Sequence, residues 1–138
     1  YSHVPPELIL RDLVASTPGT EGKWFAAAKD AGLFALAAEL ANQSPTDPRT
    51  LTRTARDFAV DQPQFAIHAA LSALRWIARG HGYEITGADI LDTAHALQQA
   101  STQAGVDQQP LSALLAPILA EAPPRHLLHQ VLSPFVKA

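Results

Sequence analysis

Residues 65–79 read FAIHAALSALRWIAR, and they form the longest apolar stretch of the chain. Only a narrow polar stripe interrupts this stretch, made of His68, Ser72, Arg75 and Arg79. A helix that is apolar around most of its circumference is buried on several sides. We therefore predict that these residues form the central helix of the fold, with other helices packed around it.

Similar segments rich in Ala and Leu fill the rest of the chain, separated by Gly or Pro, and none shows the alternation of a strand. Short helices separated in this way are typical of stacked helical hairpins. We predict an all-α fold of about eight helices, in which antiparallel helical hairpins stack as a short solenoid or an irregular helical array. Residues 1–138 are expected to form a single all-helical domain. Because the chain opens at Tyr1 without an initiator Met, we expect this domain to be part of a longer protein.

Several helix ends are marked by the sequence itself. Asp47 followed by Pro48 is typical of an N-cap with Pro in the first helical position. Thr86 with Asp89 three residues later resembles a capping box in which Asp replaces Glu. Gly32 is suited to the left-handed conformation that ends a helix. These signals predict helices that end before residue 32 and begin near residues 48 and 87.

The pattern of residues 86–104 predicts which side of that helix is buried. Apolar side chains mark the buried face at Ile90, Leu91, Ala94, Leu97 and Ala104. The predicted exposed face carries Asp89, Asp92, Ala96, Gln99 and Gln103.

Composition narrows the classes of function. With 47% hydrophobic but only 7% aromatic residues, the core must be filled mainly by Ala and Leu, which favours close helix packing. The net charge of −3 disfavours nucleic acid and anionic membranes. The absence of Cys excludes disulfides, zinc–thiolate sites and thiol nucleophiles. No apolar run is long enough to span a bilayer and no secretion signal is visible, so we expect a cytoplasmic location without membrane contact.

One segment resembles a known family. Its residues follow the order bulky, small, turn glycine, aromatic, small and closing proline, at Trp24, Ala28, Gly32, Phe34, Ala37 and Pro48. This order resembles a tetratricopeptide-like helical hairpin, although the family has its Trp one turn earlier and a glycine where Phe25 stands. The resemblance covers about 30 residues. It implies a helical-repeat scaffold that binds a peptide or protein surface in a groove and needs no cofactor.

Arginines supply the main candidate site. Three of them recur at spacings of four and three, so they project from one helix face, and two more lie on the central helix. The candidate partner-binding residues are Arg49, Arg53, Arg56, Arg75, Arg79 and His68. Guanidinium groups on antiparallel neighbouring helices would line one surface suited to carboxylates or phosphates. The alternative is a solvated face with Asp47 and Asp57 as local partners.

Three other motifs could suggest phosphate binding, metal binding or catalysis, but a structural explanation fits each of them better. Residues 19–23, GTEGK, lack the Gly and the Ser or Thr that a phosphate-binding loop requires. His126 and His129 lie three apart, but two ligands do not make a metal site, and we predict a solvated helix face. His95 lies near Asp92, yet no nucleophile accompanies them. We therefore predict no catalytic and no metal-binding residues.

The sequence predicts a non-enzymatic interaction module that binds a protein or acidic peptide through the arginine-lined surface. A nucleic-acid-binding helical domain is the alternative for the same arginines, and a regulatory or docking domain of a larger enzyme is another. The C-terminal segment also carries an apolar face that would allow a homodimer through Leu128, Leu132 and Phe135.

Overall fold

The computed structural model describes residues 24–43, 46–81, 85–105, 111–123 and 126–137. Over these ranges the chain forms seven α-helices and no β-strand. In chain order the helices are α1 (Phe25–Asp30), α2 (Phe34–Gln43), α3 (Pro48–Phe58), α4 (Pro63–Ala78), α5 (Gly87–Ala104), α6 (Leu111–Glu121) and α7 (Leu127–Lys137). The prediction of an all-α fold of about eight helices is confirmed, and the stacking as a solenoid stays a prediction. None of the seven described helices combines the length and the apolar character needed to cross a membrane.

Two compact units make up the chain, Tyr1–Thr46 with α1 and α2, and Asp47–Ala138 with α3 to α7. The single domain expected from the sequence stays a prediction. In the first unit α1 packs on α2, with Ala28 and Ala37 fully buried. The turn between them has Gly32 at φ +78°, in the left-handed region that favours glycine, so the predicted helix end is confirmed.

The second unit is built around α4. Most of its 16 residues are buried, and it contacts α3, α5 and α6. Many of the buried residues are small, including Ala66, Ala70 and Ala73, which allows the neighbouring helices to approach closely. The prediction of a central helix is confirmed.

Helices α3 and α5 lie side by side next to α4 and run in the same direction. Arg49 on α3 contacts Asp89 on α5, and Thr52, almost one turn further along, contacts Thr93. Residue numbers therefore rise together along the two helices. This parallel pair forms the surface on which the candidate site lies.

The start of each of these helices is fixed by its predicted cap. Asp47 precedes Pro48, and its carboxylate accepts a hydrogen bond from the Arg49 N–H at 3.4 Å. At α5 the Thr86 hydroxyl accepts from the Asp89 N–H, while the Asp89 carboxylate accepts from the Thr86 N–H, as in a capping box. Both capping predictions are confirmed.

The apolar face of α7 belongs to the core of the second unit, which corrects the expected dimer surface. Leu128 and Leu132 are fully buried, and α7 packs on α5 and α6. Phe135 is half-buried, and its ring lies edge-on to His95, with the centroids 5.7 Å apart. Because the fold itself covers this face, Leu128 and Leu132 are not available to a second copy.

The predicted faces of α5 are only partly right. Ile90, Ala94 and Leu97 are fully buried as expected, whereas Leu91 is 39% exposed and Ala96 is buried. Helix α5 contacts α3, α4 and α7, and these neighbours cover its sides unequally. The sequence pattern of one helix does not show where the neighbouring helices lie, so it could not predict which of these side chains they cover.

Candidate functional site

A groove of about 160 Å³ lies between α3 and α5, and we name it the α3–α5 groove. Its lining comes from α3, the end of α4, Ile85 just before α5, and the first turns of α5. The lining residues are Pro48, Arg49, Thr52, Arg53, Arg56, Ile77, Ile85, Asp89, Asp92 and Thr93. Pockets that enclose small-molecule ligands usually measure about 300–1,000 Å³. This groove is therefore sized for one or two side chains of a larger partner.

Arg49 and Asp89, which both line the groove, form a two-pronged ion pair across it. The Arg49 Nη2 atom lies 3.1 Å from Asp89 Oδ2, and its Nε atom lies 3.3 Å from Oδ1. The same carboxylate also accepts from the Thr86 N–H at 2.9 Å and from the Thr86 hydroxyl at 3.1 Å. The hydrogen bond from Arg49, followed by that from the Thr86 backbone, lowers the pKa of Asp89 below its ordinary value. Asp89 is therefore ionised at neutral pH and engaged by both partners.

Next to this pair, two hydroxyl groups link α3 to α5. The Thr93 hydroxyl donates to the Asp89 carbonyl oxygen at 2.9 Å, which uses its only hydrogen. Thr52 must therefore be the donor in the hydrogen bond between the Thr52 and Thr93 hydroxyls. The Thr52–Thr93 hydrogen bond joins the two walls of the groove, and the bond from Thr93 to the Asp89 carbonyl, within α5, orients the Thr93 hydroxyl to accept it.

Beyond the threonines, the groove carries exposed charges of both signs. Arg53 and Arg56 are exposed on α3, and Asp92 is exposed on α5. Among the described residues, none forms a side-chain hydrogen bond or an ion pair with any of these three. Asp47, expected as a local partner of the arginines, instead caps α3 and accepts from Thr50. The exposed charges are thus open to a ligand.

The other three candidate residues lie on a different side of α4. Ile77 lines the α3–α5 groove, and Arg75 and Arg79 are each two positions away, about 200° around the helix axis. His68 is seven positions before Arg75, which places it on the side of Arg75, and it is exposed. The five guanidinium groups therefore do not share one surface, because this rotation separates the pair on α4 from the three on α3.

The arginines on α4 have contacts of their own. The Arg79 Nη2 atom lies 2.9 Å from Glu121 Oε1 on α6. The guanidinium carbons of Arg75 and Arg79 lie 5.6 Å and 5.2 Å from the centroid of the Trp76 ring, close enough for cation–π attraction. The Arg79–Glu121 pair joins the end of α4 to α6, and both arginines also contact Trp76.

The acidic wall of the groove was missed by sequence reasoning. Asp89 was interpreted as a cap and Asp92 as a surface residue, and each interpretation is correct locally. Their position opposite the arginines depends on contacts across 40 residues of chain. Local spacing contains no signal for such a contact.

His126 and His129 form hydrogen bonds with backbone groups and do not lie on a solvated helix face. The His126 Nδ1 atom accepts a hydrogen bond from the Leu128 N–H at 3.1 Å, at the start of α7. The His129 Nε2 atom lies 3.3 Å from the Ala122 carbonyl oxygen, which can only accept, so the ring donates. Both side chains are half-buried, and the predicted solvated face is wrong. In the part of the chain that the structure describes, no group of three or more His, Cys, Asp or Glu residues is arranged to hold a metal.

Two motifs from the sequence remain, His95 with its neighbouring carboxylates and residues 19–23. His95 contacts the ring of Phe135, while the carboxylate of Asp89 is engaged by Arg49. Residues 19–23 lie outside the described residues.

No protein-family model matches the chain, and no curated protein and no solved structure matches it either. The tetratricopeptide-like order of residues 24–48 therefore remains a resemblance in motif. The function has to be argued from the α3–α5 groove itself.

Proposed function

We propose that the chain is a non-enzymatic helical interaction module that binds an acidic peptide or protein segment along the α3–α5 groove. One observation carries the proposal. Arg53 and Arg56 lie one helical turn apart at the groove, exposed and without a side-chain partner among the described residues. Guanidinium groups form strong two-pronged hydrogen bonds with carboxylates, so two of them at this spacing suit two acidic side chains.

The surroundings of these arginines favour binding because they are rigid. Helix α3 is capped by Asp47, packed on α4, and tied to α5 by the Arg49–Asp89 pair and the Thr52–Thr93 hydrogen bond. A binding surface held on rigid helices loses little conformational entropy when a ligand binds. The preformed scaffold thus supports recognition of a partner segment.

The groups in the groove favour binding over catalysis. A general base works best with a pKa near neutral pH, whereas the pKa of Asp89 is lowered and its oxygens are used by Arg49 and Thr86. The Thr93 hydroxyl donates to a backbone carbonyl and accepts from Thr52. Neither the carboxylate nor this hydroxyl is poised for proton transfer or nucleophilic attack.

A protein ligand is favoured over nucleic acid by the charge around the arginines. Nucleic-acid affinity comes from many phosphate contacts made by basic side chains. Here Asp92 lies opposite two available arginines, and the whole chain has a net charge of −3. A discrete pair of carboxylates fits this arrangement better than a continuous row of phosphates.

The test replaces both arginines, Arg53→Gln with Arg56→Gln, and measures binding of a fluorescently labelled Glu-rich helical peptide by anisotropy. Loss of two exposed ion pairs should weaken binding by about 1–2 kcal/mol, which is about 5- to 30-fold in Kd. The matched control is Gln98→Glu with Gln130→Glu, two exposed positions outside the groove. Both double variants lower the net charge by two, so only a site-specific effect separates them.

Equal weakening in both double variants would show a non-specific charge effect and contradict the proposal. A single-stranded oligonucleotide serves as the competing ligand in the same assay. Tight binding of the oligonucleotide that falls steeply with salt, with no binding of the peptide, would favour the nucleic-acid alternative. Circular dichroism of each variant confirms that the helices are retained.

A further inference from the structure

The α3–α5 groove has an acidic side as well as a basic side. Arg53 and Arg56 lie on α3, and Asp92 lies across from them on α5. Of the two aspartates in the groove, only Asp89 is engaged by an arginine, and Asp92 has no side-chain partner among the described residues. A ligand in the groove therefore meets positive charge on one flank and negative charge on the other.

The position of Asp92 along the groove axis follows from the two neighbouring contacts between α3 and α5. Arg49 pairs with the residue 40 positions later, and Thr52 with the residue 41 positions later. The same offset places Asp92 level with Thr52, close to the level of Arg53 and about one turn before Arg56. The negative charge therefore lies opposite the first of the two available arginines.

A purely acidic segment is a poor match for this arrangement. A carboxylate that faces Arg53 lies near Asp92 as well, and like charges at short range repel. A basic side chain on the opposite flank of the same segment removes this repulsion and adds an attraction. Each such exposed contact changes affinity by about two- to fivefold.

A helix is the shape that places both charges correctly. Two parallel helices leave between them a groove that a third helix can follow, with its flanking side chains facing one wall each. Acidic residues three or four apart on such a helix match the spacing of Arg53 and Arg56. Basic residues on the other flank then face α5.

We infer that the α3–α5 groove selects a helical partner segment with two acidic side chains one turn apart on the flank facing α3 and a basic side chain on the flank facing α5, and that Asp92 determines the preference for the basic side chain. The inference rests on the proposed function, because it assumes that an acidic segment occupies the groove. It adds the nature of the partner: a mixed-charge helix, with its basic residue level with the acid that contacts Arg53.

The test uses three labelled helical peptides of equal length that share the acidic flank and differ at one position on the other flank, which is Lys, Gln or Glu. The full chain should bind them in the order Lys, Gln, Glu, with steps of about two- to fivefold. Asp92→Asn should bind the Lys and Gln peptides equally, and Asp92→Lys should reverse the order. Asp61→Asn is the matched control, because Asp61 is exposed in the turn after α3 and outside the groove, and it should keep the original order.

The outcomes separate the two proposals. If the peptides bind through Arg53 and Arg56 but Asp92→Asn keeps the preference for Lys, the inference is wrong and the proposed function stands. If the wild-type chain binds all three peptides equally, the inference is also wrong. If no peptide binds, or if Arg53→Gln with Arg56→Gln has no effect on binding, the proposed function fails and the inference fails with it.

Discussion

Replacing Asp89 with Ala removes four hydrogen bonds to one carboxylate at the start of α5. Asp89 accepts two hydrogen bonds from the Arg49 guanidinium, and further ones from the Thr86 N–H and hydroxyl. Loss of a helix cap costs about 1 kcal/mol. The ion pair is 42% exposed at Arg49 and 26% exposed at Asp89, so screening by water limits it to about 0.5 kcal/mol.

The expected total for Asp89→Ala is a loss of about 1.5 kcal/mol in the free energy of unfolding, seen as a fall of about 5 °C in Tm. Asp89→Asn separates the two contributions, since its amide oxygen can still accept from the Thr86 N–H but carries no charge for Arg49. Asp89→Asn should therefore be the milder variant. Urea denaturation followed by circular dichroism gives both free energies.

A double-mutant cycle between Asp89→Asn and Arg49→Gln isolates the ion pair from the other contacts of each residue. We expect a coupling energy of about 0.5 kcal/mol that decreases as salt is added. A coupling of zero would mean that the pair contributes nothing to holding α3 against α5. A loss for Asp89→Ala no larger than that for Asp89→Asn would refute the capping contribution.

Other predictions concern pH and the glycines. Because the pKa of Asp89 is lowered in the folded state, its stabilisation is complete above the ordinary Asp pKa of about 3.9 and is lost as the pH falls through the folded value. The stability difference between wild type and Asp89→Asn should therefore narrow below about pH 4 in urea titrations, and a constant difference from pH 7 to pH 3 would contradict this. Gly80→Ala should cost about 1 kcal/mol because Gly80 has φ +88°, a conformation unfavourable for Ala. Gly87→Ala should be neutral or stabilise the fold by about 0.5 kcal/mol, since the added Cβ would lie 3.5 Å from Val131 Cγ2, an ordinary contact distance. Gly80→Ala should therefore have the lower Tm of the two glycine variants, and equal Tm values would refute this.

The parts of the fold that depend on residues close together in the sequence were predictable. The caps at Asp47 and Thr86 involve partners within three residues, and the end of α1 depends on the backbone freedom of Gly32 alone. The central position of α4 follows from its apolar circumference, which leaves it few sides to expose. In each case the relevant contact is contained in one short segment.

The faces that helices present to one another were harder to predict. Because α4 is apolar on nearly every side, its sequence does not reveal that Ile77 faces the α3–α5 groove while Arg75 and Arg79 flank Trp76. The exposure of Leu91 on α5 has a similar origin, since it depends on which neighbours cover that side. Positions of this kind are fixed by tertiary packing.

The same distinction between local spacing and tertiary packing applies to the candidate site. Helical spacing was sufficient to place Arg49, Arg53 and Arg56 together, because they lie on one face of a single helix. The opposing carboxylates of Asp89 and Asp92 come from a helix some 40 residues later, and only the fold brings them to the groove. The basic half of the groove was therefore predictable and the acidic half was not.

The most direct measurement is an NMR titration of the ¹⁵N-labelled full chain with the mixed-charge helical peptide. Amide shifts should change mainly in residues 48–56 and 85–93, the two walls of the α3–α5 groove. Changes centred on Arg75, Arg79 and α6 instead, with the groove unaffected, would contradict the account.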